Sequence, residues 1–322
     1  MSKCLVAPLN WGLGHASRCV PLVQRLLDEG HEVILGGDGE SLTLLRKHFP
    51  KLRYTYLAPL NLRYSAGKRQ VWAMMRAIPQ LFFWSLKDHA MLKALLREEA
   101  IDQVISDNRF GLYNKQTECI YMTHQLHIML PKGWRWAESI ASRLHARIYA
   151  RYNKVWVPDY EDPQKSLAGE LSHSTFNIQH STLIEYIGPL SRFQNNRNDP
   201  STPNYDVVAV LSGLEPQRTI LEQEIIARYS GKEERVLIVQ GLMHRPNTRI
   251  KRGNMTIVPS MSDTVLVPAL LGAQRIIARS GYSTIMDLEA LGLMQKAELI
   301  PTPGQPEQEY LATYIAQKSL FS

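Results

Sequence analysis

Cysteine is scarce. Cys4, Cys19 and Cys119 are the whole complement of 322 residues. An odd, scattered set with no C-x-x-C argues against a disulfide or zinc framework and for a reducing cytosol. No apolar run reaches the roughly 20 residues that span a bilayer. The opening Met1-Ser2-Lys3-Cys4-Leu5-Val6-Ala7-Pro8 has too short an apolar core for a signal peptide and reads as a first strand. The early glycines lack the third glycine of a dinucleotide fingerprint, and no Gly-Lys-Ser/Thr follows them as in a phosphate loop. There is no D-x-D run of the kind that holds a metal, and no helix-turn-helix, zinc-finger or RNP-type motif, which argues against sequence-specific nucleic-acid binding. What remains is a chain that is 44% hydrophobic and 21% charged, with room for two domains. Its net charge of +7 favours an anionic partner: nucleotide, phosphorylated lipid or nucleic acid.

Lys3 to Leu9 reads as a strand, followed by Asn10-Trp11-Gly12-Leu13-Gly14-His15. Val20, Leu22, Val23, Leu26 and Leu27 then make a helical face that Gly30 ends, and His31 to Leu35 makes a second strand. This opens a doubly wound parallel sheet. Gly12 and Gly14 let the backbone approach a ligand. His15, at the helix start, is placed to act as a general base on a hydroxyl or to bond a phosphate; the bland alternative is a helix-start residue packed against a second domain. From Arg46 to Lys93, basic residues alternate with Trp72, Met74, Met75, Leu81, Phe82, Phe83 and Trp84. That composition suits either an anionic membrane surface or two buried helices with solvated basic faces.

Further strands run from Asp102 to Ser106 and from Cys119 to Met122, and helix from Trp134 to Tyr152. Ligands of doubly wound sheets gather at the carboxyl ends of strands. Asp107, Asn108, Arg109 and His124 are therefore acceptor-site candidates, with Asp107 able to orient or deprotonate a hydroxyl and Arg109 to meet an anionic group. The bland reading of each is a strand-end turn or a cap. Lys154 to Val157 and Leu183 to Ile187 close the first domain, residues 1–190. The polar, Asn- and Pro-rich stretch 191–204 reads as a linker.

Residues 205–322 make a second α/β domain. Tyr205 to Leu211 is its first strand, and Ser212, Gly213 and Arg218 form an anion cradle at a helix start; Arg218 has a surface ion pair as its alternative. Val236 to Val239 and Thr256 to Val258 are strands. Arg275 to Ala278 is another, followed by the turn Arg279-Ser280-Gly281. Ser283 and Thr284 then offer caps to a helix carrying Asp287. Beyond the strand Ala297 to Ile300 comes a polar loop with Gln305, Gln308 and Glu309. Asp287 can bridge two vicinal hydroxyls, and Gln308 with Glu309 can bond further ones. The alternative is an ordinary β-turn-α unit with a solvated loop.

Arg279-Ser280-Gly281, Thr284, Asp287, Pro301 and the Gln-rich loop ending in Tyr310 resemble the donor-site signature of GT-B glycosyltransferases, in particular the MurG-like enzymes of family 28. Gly12, Gly14, His15 and Arg18 resemble the N-domain loop of the same enzymes. The resemblance implies two Rossmann-like domains facing across a cleft, with acceptor groups (Gly12, Gly14, Arg18, Asn108, Arg109, His124) in the first. In the second, Ser212, Gly213, Arg218, Ser280, Gly281, Ser283 and Thr284 would face a nucleotide diphosphate, Asp287 a ribose, and Gln305, Gln308 and Glu309 a sugar. The family more usually has two glutamines where this chain has Gln308-Glu309. A basic apolar N-domain patch would meet the inner face of the plasma membrane. The family's closing C-terminal helix is expected to be short or missing, since only Leu311 to Ser322 remain.

The expectation is a metal-independent, inverting transfer of a sugar, with no cofactor beyond the nucleotide-sugar. A UDP-sugar is the expected donor, His15 or Asp107 the base, and a hydroxyl of a small or lipid-linked molecule the acceptor. The rival readings are a nucleotide-sugar epimerase, a non-catalytic nucleotide-sugar or lipid binder, and a basic membrane-surface protein without sugar chemistry.

Overall fold

The computed structural model describes all residues except 61–69, 174–182, 195–204, 214, 244, 247 and 319–322, together with the side chains of 70–78. Several basic residues and Trp72, Met74 and Met75 of the aromatic stretch therefore lie outside the described residues, as does most of the linker. Chain contacts divide the protein into Met1–Leu190 and Ser191–Ser322.

The first unit runs β1 (Lys3–Pro8), α1 (Gly14–Asp28), β2 (Glu32–Gly37), α2 (Gly39–His48), β3 (Arg53–Tyr56), α3 (Gln70–Glu98), β4 (Gln103–Asp107), β5 (Glu118–Met122), α4 (Glu138–Tyr149), β6 (Lys154–Val157) and β7 (Ile184–Tyr186). Its seven strands lie in the order β3-β2-β1-β4-β5-β6-β7, and every pairing is parallel. Strands buried on both faces need near-continuous apolar runs, which Cys4-Leu5-Val6-Ala7 and Cys119-Ile120-Tyr121-Met122 supply. The strand order reverses between β1 and β4, where Pro8 lies opposite Asp107. The segment expected to start a helix at Trp134 instead makes a 3-10 turn over Lys132–Ala137, and α4 starts at Glu138.

The second unit runs β8 (Val207–Val210), α5 (Gln217–Tyr229), β9 (Val236–Val239), β10 (Ile250–Arg252), β11 (Met255–Val258), α6 (Asp263–Gly272), β12 (Arg275–Arg279), α7 (Tyr282–Ala290), β13 (Ala297–Ile300) and α8 (Pro306–Lys318). The sheet order is β10-β11-β9-β8-β12-β13, parallel except for β10 against β11. Its order reverses between β8 and β12. One core lies on the α5 side (Val207, Ala209, Leu221, Ile225, Ile277) and another on the α6–α7 side (Val208, Leu266, Leu270, Ile276, Leu288). Phe193 is buried in the latter, so Ser191 to Gln194, read from sequence as the start of the linker, belong to the second unit. A large-to-small change at such core positions typically costs about 2–5 kcal/mol.

Candidate functional site

At the carboxyl edge of the first sheet, β1 turns into α1 through Gly12. Its φ of +77° is a left-handed value that a side chain would strain. Gly14 is the first residue of α1, which puts His15 and Arg18 one turn apart on the face toward β4. Asp107 ends β4 with no exposure. His15 Nδ1 lies 2.9 Å from Asp107 Oδ1, Arg18 Nε donates to Oδ2 at 2.7 Å, and Arg18 Nη2 donates to Oδ1. Arg18 Nη1 lies 3.0 Å from His124 Nδ1. Burial alone would raise the Asp107 pKa, but the charges and hydrogen bonds of Arg18 and His15 outweigh it and hold the carboxyl well below the usual range. Asp107 therefore stays ionised. Arg18 Nη2 also lies 3.0 Å from His15 Nδ1; in the tautomer whose Nδ1–H faces the carboxylate, Nε2 carries the lone pair, and Nε2 has no hydrogen-bond partner among the described residues.

The structure redirects two arginines here. Arg18, expected on the acceptor, is buried and bound to Asp107 and His124. Arg109, expected to meet an anionic group, is fully buried: Nε and Nη2 donate to Asp88 at 2.9 Å, Nη1 to Asp38 at 2.9 Å and Nη2 to the Ala58 carbonyl at 2.7 Å. Burial keeps Asp88 above its ordinary value even so. Asn108 is placed differently. It has φ +57° next to Asp107, and its Oδ1 accepts the Tyr121 hydroxyl at 2.8 Å. That hydroxyl also lies 3.0 Å from Nε2 of His145, which burial pushes down to about 4 and so keeps neutral. Tyr121, His145, Asp38 and Asp88 carry no signal of their own in the sequence. Their significance lies in contacts between residues far apart in the chain, which no local spacing announces.

The carboxyl edge of the second sheet holds the other candidates. Gly213 follows β8 with φ +98°, beside half-buried Ser212. Arg218, expected on the diphosphate, is taken by carboxylates: Nε donates to Glu215 and Nη1 to Glu222, each at 2.7 Å. α7 starts at Tyr282 with Gly281 as its N-cap, two residues before the caps expected at Ser283 and Thr284, which instead lie in its first turn. Ser280 is buried and donates to the Gln308 carbonyl at 2.8 Å, so its hydroxyl is spent on the fold. Gln308 Oε1 accepts the Thr302 N–H and Glu309 Oε1 accepts the Gly304 N–H. Both side chains thus brace the loop before α8, and Gln305 closes it through its backbone carbonyl to the Glu309 N–H. Asp287 accepts the Ser191 hydroxyl at 2.6 Å and has Arg192 Nε at 3.9 Å. Burial raises its pKa to about 6, partly offset by Arg192 and Ser191 and reinforced by Asp263.

No family model matches the chain. It is similar to an uncharacterized glycosyltransferase of Methanosarcina acetivorans, with 25% identity over 98% of this chain and 84% of the relative. It is similar also to one of Methanosarcina mazei, with 22% identity over the same shares. Among solved structures, the calicheamicin glycosyltransferase CalG4 superposes with a TM-score of 0.60 at 12% identity, covering 100% of this chain and 84% of that one. Phytolacca americana UGT2, complexed with UDP-2-fluoro-glucose and pterostilbene, gives 0.57 at 14%, covering 99% and 84%. The two α/β units of this chain, each a Rossmann-like parallel sheet with helices, have the GT-B fold of these neighbours.

Proposed function

We propose that this chain is a glycosyltransferase that moves a sugar from a nucleotide-sugar, a UDP-sugar by preference, to an acceptor hydroxyl. The observation that supports it most is the His15–Asp107 pair at the strand-order reversal of the first sheet, a base held by a carboxylate that Arg18 keeps ionised. The archaeal relatives named as glycosyltransferases match this chain over nearly its whole length. In this reading the first unit takes the acceptor and the second the donor. His15 Nε2 accepts the hydroxyl proton as the acceptor oxygen bonds to the anomeric carbon. The bond from that carbon to the diphosphate oxygen breaks on the opposite face, so the configuration inverts. Asp107 offsets the imidazolium that forms. The departing diphosphate is stabilised by helix N-termini and a buried cation, without a metal. The test is UDP release from a panel of UDP-sugars, with and without EDTA. His15→Ala is expected to slow release about 100-fold or more, as loss of a general base does, while leaving UDP binding intact. Unchanged release in that variant sinks the assignment.

We propose further that an anionic membrane surface is a partner. α3 and α4 pack on one face of the first sheet through Leu92, Leu95, Leu96, Ala146 and Tyr149. Outward, α3 exposes Phe82 (60%) and Phe83 (62%), while the turn before α4 and α4 itself expose Trp136 (71%), Ile140 (50%) and Leu144 (53%). Exposed Lys87, Lys93, Lys132, Arg135, Arg143 and Arg147 accompany them. Apolar stripes rimmed by bases suit an interface of anionic lipid. No helix among the described residues is long and apolar enough to cross a membrane. Co-sedimentation with phosphatidylglycerol vesicles, lost in high salt and weakened several-fold in Trp136→Ser, is the expected result. Equal binding to pure phosphatidylcholine vesicles overturns it.

A further inference from the structure

Four arginines are buried near the two carboxyl edges, and three of them have carboxylates on the guanidinium. Arg18 has Asp107, Arg109 has Asp38 and Asp88, and Arg218 has Glu215 and Glu222. Arg279 has none among the described residues. Only 3% of it is exposed; Nη1 donates to the Pro301 carbonyl at 2.9 Å and Nη2 to the Gln217 carbonyl at 2.7 Å. Its Nε is buried without a hydrogen-bond partner. Exposed Glu224 acts on it only through space, without a hydrogen bond or ion pair among the described residues. A guanidinium taken out of water with no carboxylate in contact is costly to bury, and removal of a poorly compensated charge ordinarily stabilises a fold.

Arg279 also stands in a particular place. It ends β12, beside β8, where the strand order of the second sheet reverses and where doubly wound sheets take their ligands. Strand alternation puts it on the same face as Ile277, toward α5. Its bond to Gln217 sets the guanidinium against the first residue of this 13-residue helix. That helix start already attracts an oxyanion from its own chain, since a Glu215 carboxyl oxygen accepts the Thr219 N–H at 3.2 Å. Gly213 precedes it with open space where a Cβ would stand, so a ligand can approach the backbone closely.

We infer that Arg279 supplies the counter-charge to an oxyanion bound at the β8–β12 reversal, the diphosphate of the donor, and that Arg218 does not. The identity of the oxyanion rests on the donor reading above; the unpaired cation does not. Arg279 satisfies two of its nitrogens on carbonyls and completes its hydrogen bonding, through Nε, on the ligand. This gives a role to the basic residue that ends the apolar run Ile276-Ile277-Ala278. It also gives the Arg-Ser-Gly turn a cation that is not already neutralised.

The test measures binding of UDP, uridine and inorganic pyrophosphate by calorimetry, and melting temperature without ligand, for the wild type, Arg279→Met, Arg279→Lys and Arg218→Met. Arg279→Met is expected to lose roughly tenfold or more in affinity for UDP and pyrophosphate, as removal of a charge-assisted bond implies, with uridine affinity unchanged. Its own melting temperature should equal or exceed that of the wild type. Arg279→Lys should recover part of the anion affinity, and Arg218→Met should keep it. Wild-type affinity for both anions in Arg279→Met, or a parallel loss of UDP and uridine, overturns the inference. Should Arg279→Met fail to fold, that failure overturns the claim of an uncompensated charge. A wild type that binds pyrophosphate through Arg279 but no nucleotide leaves the inference standing and defeats the donor reading. UDP affinity that is equal in the wild type and Arg279→Met does the reverse.

Discussion

The carboxyl edges of the two sheets part company over one cation and one acid. On the first, each buried guanidinium meets a buried carboxylate directly: Arg18 with Asp107, Arg109 with Asp38 and Asp88. On the second, Arg218 is paired in the same way with Glu215 and Glu222, but among the described residues Arg279 bonds only carbonyls, and Asp287 has its cation, Arg192, no nearer than 3.9 Å. The consequence appears in two acids, Asp107 at the end of β4 and Asp287 on α7. Asp107 is buried more deeply than Asp287, yet it is held below the ordinary carboxylate range, whereas burial raises Asp287 to about 6. Direct guanidinium contact wins over desolvation in one case and is missing in the other. The first edge is electrically complete without a ligand, as the base proposed there requires. The second leaves a cation and an acid for a ligand to complete.

The strongest way to break this comparison is to delete matching arginines. Arg109→Met strands Asp38 and Asp88 in the interior, where breaking a buried pair from one side costs about 3–5 kcal/mol. Urea unfolding should show a loss of that order for Arg109→Met. In the same assay Arg279→Met should lose nothing, because no buried carboxylate depends on it. Equal losses in the two variants would mean that Arg279 is as much a structural pair as Arg109, and the contrast between the edges would vanish.

Much of the architecture is readable in the chain. Apolar runs such as Val236-Leu237-Ile238-Val239 and Lys154-Val155-Trp156-Val157 give strands at the expected places because a two-sided parallel sheet requires them. β3 (Arg-Tyr-Thr-Tyr) and β10 (Ile-Lys-Arg) carry no such signal, since edge strands can be short, polar and exposed. His15 and Asp107 are legible as strand-end and helix-start polar groups, and their proximity is not: it depends on β1 and β4 being neighbours, 92 residues apart at the site. The arginines are the hardest to read. Arg18, Arg109 and Arg218 look like anion binders by position. Whether an arginine is free to bind an anion depends on which carboxylates fold onto it, and Asp38, Asp88 and Glu222 reach it from other turns or elements. Arg279 looks like part of a turn because basic residues seldom end a buried strand; the apolar run before it is the available signal.

Asp287 offers the finer way to sharpen the contrast, through pH. Its side chain keeps 16% of its surface, and its carboxyl, ordinarily at 3.8, is raised to about 6 mainly by burial. The folded chain therefore holds this proton more tightly than the unfolded chain does. Linkage then makes stability from this group fully present below about pH 4 and lost as pH rises through about 6. Asp287→Asn keeps an oxygen for the Ser191 hydroxyl and removes the titration. The two proteins should match in urea unfolding near pH 4. By pH 7.5 the variant should be the more stable by about 2 kcal/mol, since each tenfold gain in proton affinity on folding is worth about 1.4 kcal/mol. A difference that does not change with pH would show that Arg192 compensates Asp287 in full. Asp107→Asn supplies the opposite slope: its carboxyl is held down by Arg18, so the wild type should gain on that variant as pH rises toward about 4, the ordinary carboxylate range, and keep the gain at neutrality. If both acids gave slopes of the same sign, the second edge would be as self-contained as the first, and the case for a ligand that completes it would fail.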